Sequence, residues 1–128
     1  MRLPSLLDIG LVGSAGALGA LARYLIGRFF AERVRSQFPV GTLIINISGA
    51  FLIGLVAGLV GHKVVSADVQ FVGVTGFLGG YTTFSTMQWE SVQLLRGGSA
   101  SLGMLYLTGT FALGFAVAAG GWMLGGWM

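Results

Sequence analysis

Apolar residues run almost unbroken through four stretches of the chain, about 9–26, 40–61, 69–89 and 102–126, and most charged residues fall between them. Each stretch reaches the roughly 18 residues a helix needs to cross a hydrocarbon core about 30 Å thick. The pattern predicts a single four-span membrane domain over 1–128, all helical, with short connections. The third stretch breaks the pattern. Residues 76–87 read GFLGGYTTFSTM, with Gly79 at the centre of an uncharged run, Gly80 beside it, and Thr82, Thr83, Ser85 and Thr86 following. Glycine weakens a helix by about 1 kcal/mol relative to alanine, and lipid offers no water to satisfy backbone groups that a break would free. The doublet therefore predicts an interruption of the third helix at Gly79 and Gly80, near the midplane. Such a break frees carbonyls at the end of the first half and N–H groups at the start of the second, where Thr82 or Thr83 would cap the new N-terminus.

Composition agrees with the membrane reading. The chain is 55% apolar and 9% charged, with mean hydropathy +0.87, whereas soluble domains carry about 25% charged residues. A net charge of +3 could suggest nucleic acid, but seven cations spread among membrane spans form no binding face. No nucleic-acid partner is expected. Cysteine is absent, which removes disulfides, thiolate metal sites and cysteine nucleophiles. Arg2, the apolar run after it and the small residues SAGALGA (14–20) have the look of a cleaved signal peptide. The run continues to Arg23, however, so the first span is retained. One side of the membrane would carry Arg2 and Lys63, the other Arg28, Arg33, Arg35 and Arg96. That small bias favours termini outside and is compatible with insertion in both orientations. RFFAERVRSQFP (28–39) reads as an interfacial segment, and Tyr24, Trp89, Trp122 and Trp127 fall towards span ends, where amphipathic rings favour the headgroup layer.

Glycine also predicts how the spans pack. Gly10, Gly13, Gly16 and Gly19 recur every third residue, and Gly54/Gly58 and Gly121/Gly125 are GxxxG pairs. Such faces let helices approach closely, within one four-helix unit or between copies. Polar residues at depth lie in register: Thr42, Asn46 and Gly49 share one face of the second span, Tyr106, Thr110 and Gly114 one face of the fourth. Asn46 alone would be interhelical glue; together the hydroxyl-bearing faces suggest a polar track. Freed carbonyls suit a small cation. The half-helix N-terminus, the hydroxyls, the Asn46 amide and the positive edges of Phe rings suit an anion. A glycine packing site or simple kink is the other reading of the break.

No carboxylate, Lys or His lies mid-span, Glu90 and Glu32 are placed at or beyond span ends, and lone His62 has no companion ligands. No nucleophile–base pair, Walker loop or dinucleotide turn is present. An enzyme is not expected, and a passive pore for a small ion fits better than a pump. Arg23 either snorkels to the interface or draws anions into a vestibule.

GALGALARY (16–24), GTLIINISGAFLIG (41–54) and TGFLGGYTTFST (75–86) resemble, in the same order and spans, the CrcB or Fluc fluoride channels of microbes. The resemblance covers essentially the whole chain. It implies a dual-topology antiparallel homodimer in the cytoplasmic (inner) membrane, embedded in lipid. Two pores would let fluoride leave the cell and so limit its toxicity. It also implies a structural sodium ion at the dimer centre, held by the backbone carbonyls of Gly79 and Thr82. Asn46 matches the family's pore asparagine and Phe84 its first pore phenylalanine, while Thr42, Thr83, Ser85 and Thr110 match polar pore-lining positions. Met87 stands where the family has a second phenylalanine, so the family's two-ring fluoride station would lack one ring at that position. Fluoride is small and strongly hydrated, so a dehydrating pore must replace its water with short donors; the preference over chloride rests on the resemblance. The rivals are a small multidrug-type exporter, whose members resemble one another in carrying a first-span Glu that 9–26 lacks, and a non-transporting membrane assembly protein.

Overall fold

A computed structural model describes residues 3–128, and these are helical apart from short connections. Helix α1 is Leu6–Arg33. Ser5 opens it with a capping box: its Oγ accepts from the Asp8 N–H at 3.1 Å, and Asp8 Oδ2 accepts from the Ser5 N–H at 2.8 Å. The helix outruns the apolar span and carries Arg28 and Arg33 with it, so 28–33 is not a separate interfacial piece but its last two turns. Arg28 donates to Glu32 at 2.8 Å one turn on. Helix α2 is Val40–Gly61 and starts directly after Pro39, whose missing N–H costs nothing at a helix start. A loop with Lys63 in the left-handed region (φ 59°) leads to Ser66, which caps α3.

Helix α3 covers 67–81: a turn Ala67–Gln70, then Phe71–Leu78 with π-type spacing, then a last turn Gly79–Tyr81. Helix α4 is Phe84–Arg96, and after a turn with Gly98 at φ 82°, α5 is Ala100–Trp127. Helices α1, α2 and α5 are each long and apolar enough to cross a membrane alone. The third crossing is divided between α3 and α4, neither of which could cross alone. The protein is therefore a multi-pass membrane protein with one broken span, as expected.

The position of the break differs from the expectation. Gly79 is helical (φ −61°, ψ −38°) and Gly80 lies within the last turn of α3. The chain leaves the helix at Thr82 (φ −78°, ψ 155°) and Thr83 (φ −145°, ψ 116°). Gly80 serves close packing: a Cβ there would collide with the Gly16 carbonyl of α1, and one at Gly19 with the Phe77 carbonyl of α3. The GxxxG pairs work likewise inside the chain. Gly54 lies on Ala118, Gly58 on the Trp122 carbonyl, Gly121 on the Phe51 carbonyl and Gly125 on the Leu55 carbonyl, so α2 and α5 run in backbone contact. Large apolar side chains such as Leu18, Leu105 and Phe115 stay exposed on the outer faces, which suits a lipid solvent. Tyr24, Trp89, Trp122 and Trp127 are exposed as well.

Candidate ion pathway

The break is made by residues of two helices. In an unbroken helix the Thr83 N–H would bond the Gly79 carbonyl. Here it donates to Asn46 Oδ1 at 2.9 Å, and Asn46 Nδ2 donates to the Thr83 carbonyl at 3.0 Å. One amide thus grips both backbone groups of a single residue, and because an N–H can only meet an acceptor, Oδ1 and Nδ2 are unambiguously assigned. The second Nδ2 proton remains to be given elsewhere. Thr83 caps α4: its Oγ1 accepts from the Thr86 N–H at 3.3 Å and donates to Thr86 Oγ1 at 3.0 Å. Thr86 keeps its own proton to donate. Thr82, the other expected cap, instead closes α3, donating its hydroxyl to the Leu78 carbonyl at 2.9 Å. Its methyl rests on Gly49, where any Cβ would collide.

Two cavities meet at the break. The first, about 550 Å³, is lined by Arg23 and Arg28 of α1, aromatic residues including Phe30 and Phe38, and at its inner end Thr42, Thr83, Thr86 and Glu90. The second, about 340 Å³, is lined by Asn46, Thr82, Thr83, Phe84, Met87, Thr110, Phe111 and Phe115 among others. Thr83 lines both, so the two cavities adjoin at the α4 N-terminus, where unsatisfied N–H groups favour negative charge.

Most of the expected site residues line one cavity or the other. Arg23, Thr42 and Thr83 line the first cavity; Asn46, Thr83, Phe84, Met87 and Thr110 line the second. Phe84 is 60% exposed and Met87 only 3%, so the two positions differ in kind: Phe84 presents its ring outward, while Met87 packs with Leu94 and Tyr106. Thr110 donates to the Tyr106 carbonyl at 2.6 Å, which ties its proton to its own helix. Ser85 is exposed and lines neither cavity. Gly79 is exposed at the end of α3.

One group was misplaced by sequence reasoning. Glu90 is not beyond the pathway: its Oε1 accepts from Thr42 at 2.8 Å and its Oε2 from Tyr106 at 2.9 Å. Tyr106 is fully buried and meets Phe38 edge to face, with ring centroids 5.3 Å apart. The signal was present in the spacing Thr83, Thr86, Glu90, which is one helix face from the break outward. With both Glu90 oxygens occupied, the Thr42 proton is also taken. The donors left for an anion are the second Asn46 N–H, the Thr86 hydroxyl, the arginines of the first cavity and ring edges in the second.

The family model described as "CrcB-like protein, Camphor Resistance (CrcB)" matches residues 10–122. A relative named fluoride-specific ion channel FluC from Rhizobium meliloti is 42% identical over 112 residues, covering 86% of this chain and 90% of its own. FluC 2 of Bacillus cereus is 42% identical over 116 residues, covering 91% of this chain and 95% of its own. FluC 2 of Moorella thermoacetica is 41% identical over 115 residues, covering 90% and 93%.

Proposed function

The chain belongs to the CrcB-like protein family, and on that footing we propose that it is a passive, fluoride-selective channel of the inner membrane that lets fluoride leave the cytoplasm and so limits its toxicity. The observation that carries the reading is the Asn46 grip on Thr83, which holds the third crossing open where the two cavities meet. Arg23 and Arg28 raise the local anion concentration in the first cavity. The Thr86 hydroxyl, the free Asn46 N–H and the Phe84 ring edge then replace water in turn. No full positive charge stands at the constriction, so the anion is solvated without being trapped.

The functional unit is an antiparallel homodimer of dual topology with two pores. The outward-facing Phe84, Phe111 and Phe115 beside the second cavity would be covered by the partner copy. The break also suits a structural sodium ion at the dimer centre. The Gly79 carbonyl has lost its helical donor to Asn46, and the Thr82 carbonyl, across a planar trans peptide from the Thr83 N–H, is directed away from Asn46. Two free carbonyls from each of two copies make an all-oxygen donor set of the type hard cations take. When bound, the ion would neutralise carbonyl dipoles at the centre of the dimer.

The test is reconstitution. Liposomes loaded with fluoride, with a potassium ionophore to carry counter-charge, should release fluoride rapidly to an external electrode and retain chloride. Release no faster than from empty liposomes would overturn the proposal. Asn46→Asp supplies a second arm. A carboxylate about 4 Å from the anion opposes it by about 4 kcal/mol at an effective dielectric of 20, so flux should fall more than about tenfold. Unchanged flux would remove Asn46 from the pathway.

A further inference from the structure

The Asn46 grip lies on the far side of Thr82 from a second tie between the same two helices. The Tyr81 hydroxyl lies 2.9 Å from Ser48 Oγ. Ser48 donates its single proton to the Ile45 carbonyl at 3.0 Å, so the Tyr81 hydroxyl is the donor in that pair. Tyr81 is the last residue of α3 and is buried. Its ring stacks on Phe77 with centroids 5.9 Å apart and packs with Ile45 and Leu78. Between Ser48 and Asn46 on one side and Tyr81 and Thr83 on the other, Thr82 bridges the gap with its methyl seated on Gly49. Ser48, Gly49 and Asn46 of α2 thus hold Tyr81, Thr82 and Thr83 respectively.

We propose that Ser48 and Tyr81 are positioning residues for the cation site, a latch that, with the Asn46 grip, fixes the direction of the Thr82 carbonyl at the α3 terminus. Asn46 fixes the peptide after Thr82, and α1 packs against α3 at Gly80; neither contact ties the Tyr81 residue itself to α2. The Tyr81–Ser48 bond fixes the residue before it. With both ends held, the Gly79 and Thr82 carbonyls are preorganised, and a bound cation need not order them. Releasing one end should weaken cation binding without removing any ligand atom or any group that lines the anion route. The inference rests on the channel reading above for its sodium site.

The experiment uses purified full-length protein in detergent, melted across a sodium chloride series balanced with N-methylglucamine chloride. A bound cation raises the melting temperature by mass action. Tyr81→Phe and Ser48→Ala each remove one hydroxyl. In both, the sodium concentration giving half of the thermal shift should rise about two- to tenfold, the range that one neutral hydrogen bond contributes. The double variant should match either single one, because the two residues share one bond. Fluoride efflux from liposomes at saturating sodium should return to the wild-type rate. An unchanged half-point, additive shifts in the double variant, or efflux lost equally at all sodium concentrations would each overturn the latch, as would failure of both single variants to give a monodisperse folded protein. Wild-type protein that conducts fluoride but shows no sodium shift would overturn the latch and leave the channel standing. Protein that shows the shift and its loss but conducts no fluoride would overturn the channel and leave the latch.

Discussion

Asn46 does two things at the break with one side chain: it accepts from the Thr83 N–H, which has left the α3 ladder, and it adds a donor to the Thr83 carbonyl, which as the N-cap already opens the α4 ladder. Its burial in a long apolar span made it conspicuous in the sequence, but its partner was not, since nothing in residues 40–61 names Thr83. Glu90 was harder still. A carboxylate near a span end ordinarily lies in water, and only the tertiary approach of Thr42 and Tyr106 turns it inward. Met87 shows the opposite outcome, because the side chain that replaces an expected ring is almost fully buried against Leu94 and Tyr106. Met87→Phe must fit a rigid ring into that packing, where overfilling costs about 1–3 kcal/mol. The adjoining cavity of about 340 Å³ can take part of it, so the loss should fall at the lower end. The expected outcome is a slightly lower melting temperature and fluoride conduction that survives at an altered rate, read by single-channel recording. Identical current and stability would mean that position 87 faces neither the packing nor the ion.

At the scale of elements, glycine carried two meanings that sequence could not separate. A residue without a side chain marks a helix break and also a close helix contact, because both need the Cβ to be absent. The doublet at 79 and 80 suggested the first, and the structure assigns Gly80 to the second through the Gly16 carbonyl, which belongs to another helix. The break falls at Thr82 and Thr83 instead, where Asn46 competes for the backbone. The spans themselves were legible because apolar length alone defines them, and α2 starts and ends where its apolar run does. The distinction can be tested by alanine. Gly80→Ala sets a methyl group against a backbone atom that cannot yield, so α1 and α3 must part and stability should fall by about 1–3 kcal/mol or more. Gly13→Ala meets open space within the protomer and should be neutral or slightly stabilising, since alanine favours helix by about 1 kcal/mol. Thermal melts of both decide it, and equal damage would mean that a second chain covers Gly13.

For the whole molecule, the question is how a protomer with so many exposed apolar groups and so little charge asymmetry is oriented. Exposed Leu and Phe side chains occur on α1, α4 and α5 alike, so lipid contact alone does not distinguish up from down. Lys63 falls on one side, where the sequence also puts Arg2 (outside the described residues), against Arg28, Arg33, Arg35 and Arg96 on the other, and with short loops it is this Lys/Arg difference that sets topology. An antiparallel dimer needs both orientations from one sequence, and a small bias permits that. The native chain has no cysteine, so a single Val64→Cys in the exposed second loop reports orientation directly. In sealed vesicles a membrane-impermeant thiol reagent should label a substantial fraction and leave the remainder protected until the membrane is opened. Charge variants make the dependence functional. Gln93→Lys with Ala100→Lys widens the existing bias, whereas Val64→Lys and Val65→Lys with Arg35→Ser and Arg96→Ser reverses it. Each variant expressed alone should insert one way and give little fluoride efflux, and the two expressed together should restore it. Full activity from either alone would rule out the antiparallel arrangement, because a uniformly inserted population cannot bring two breaks together head to tail.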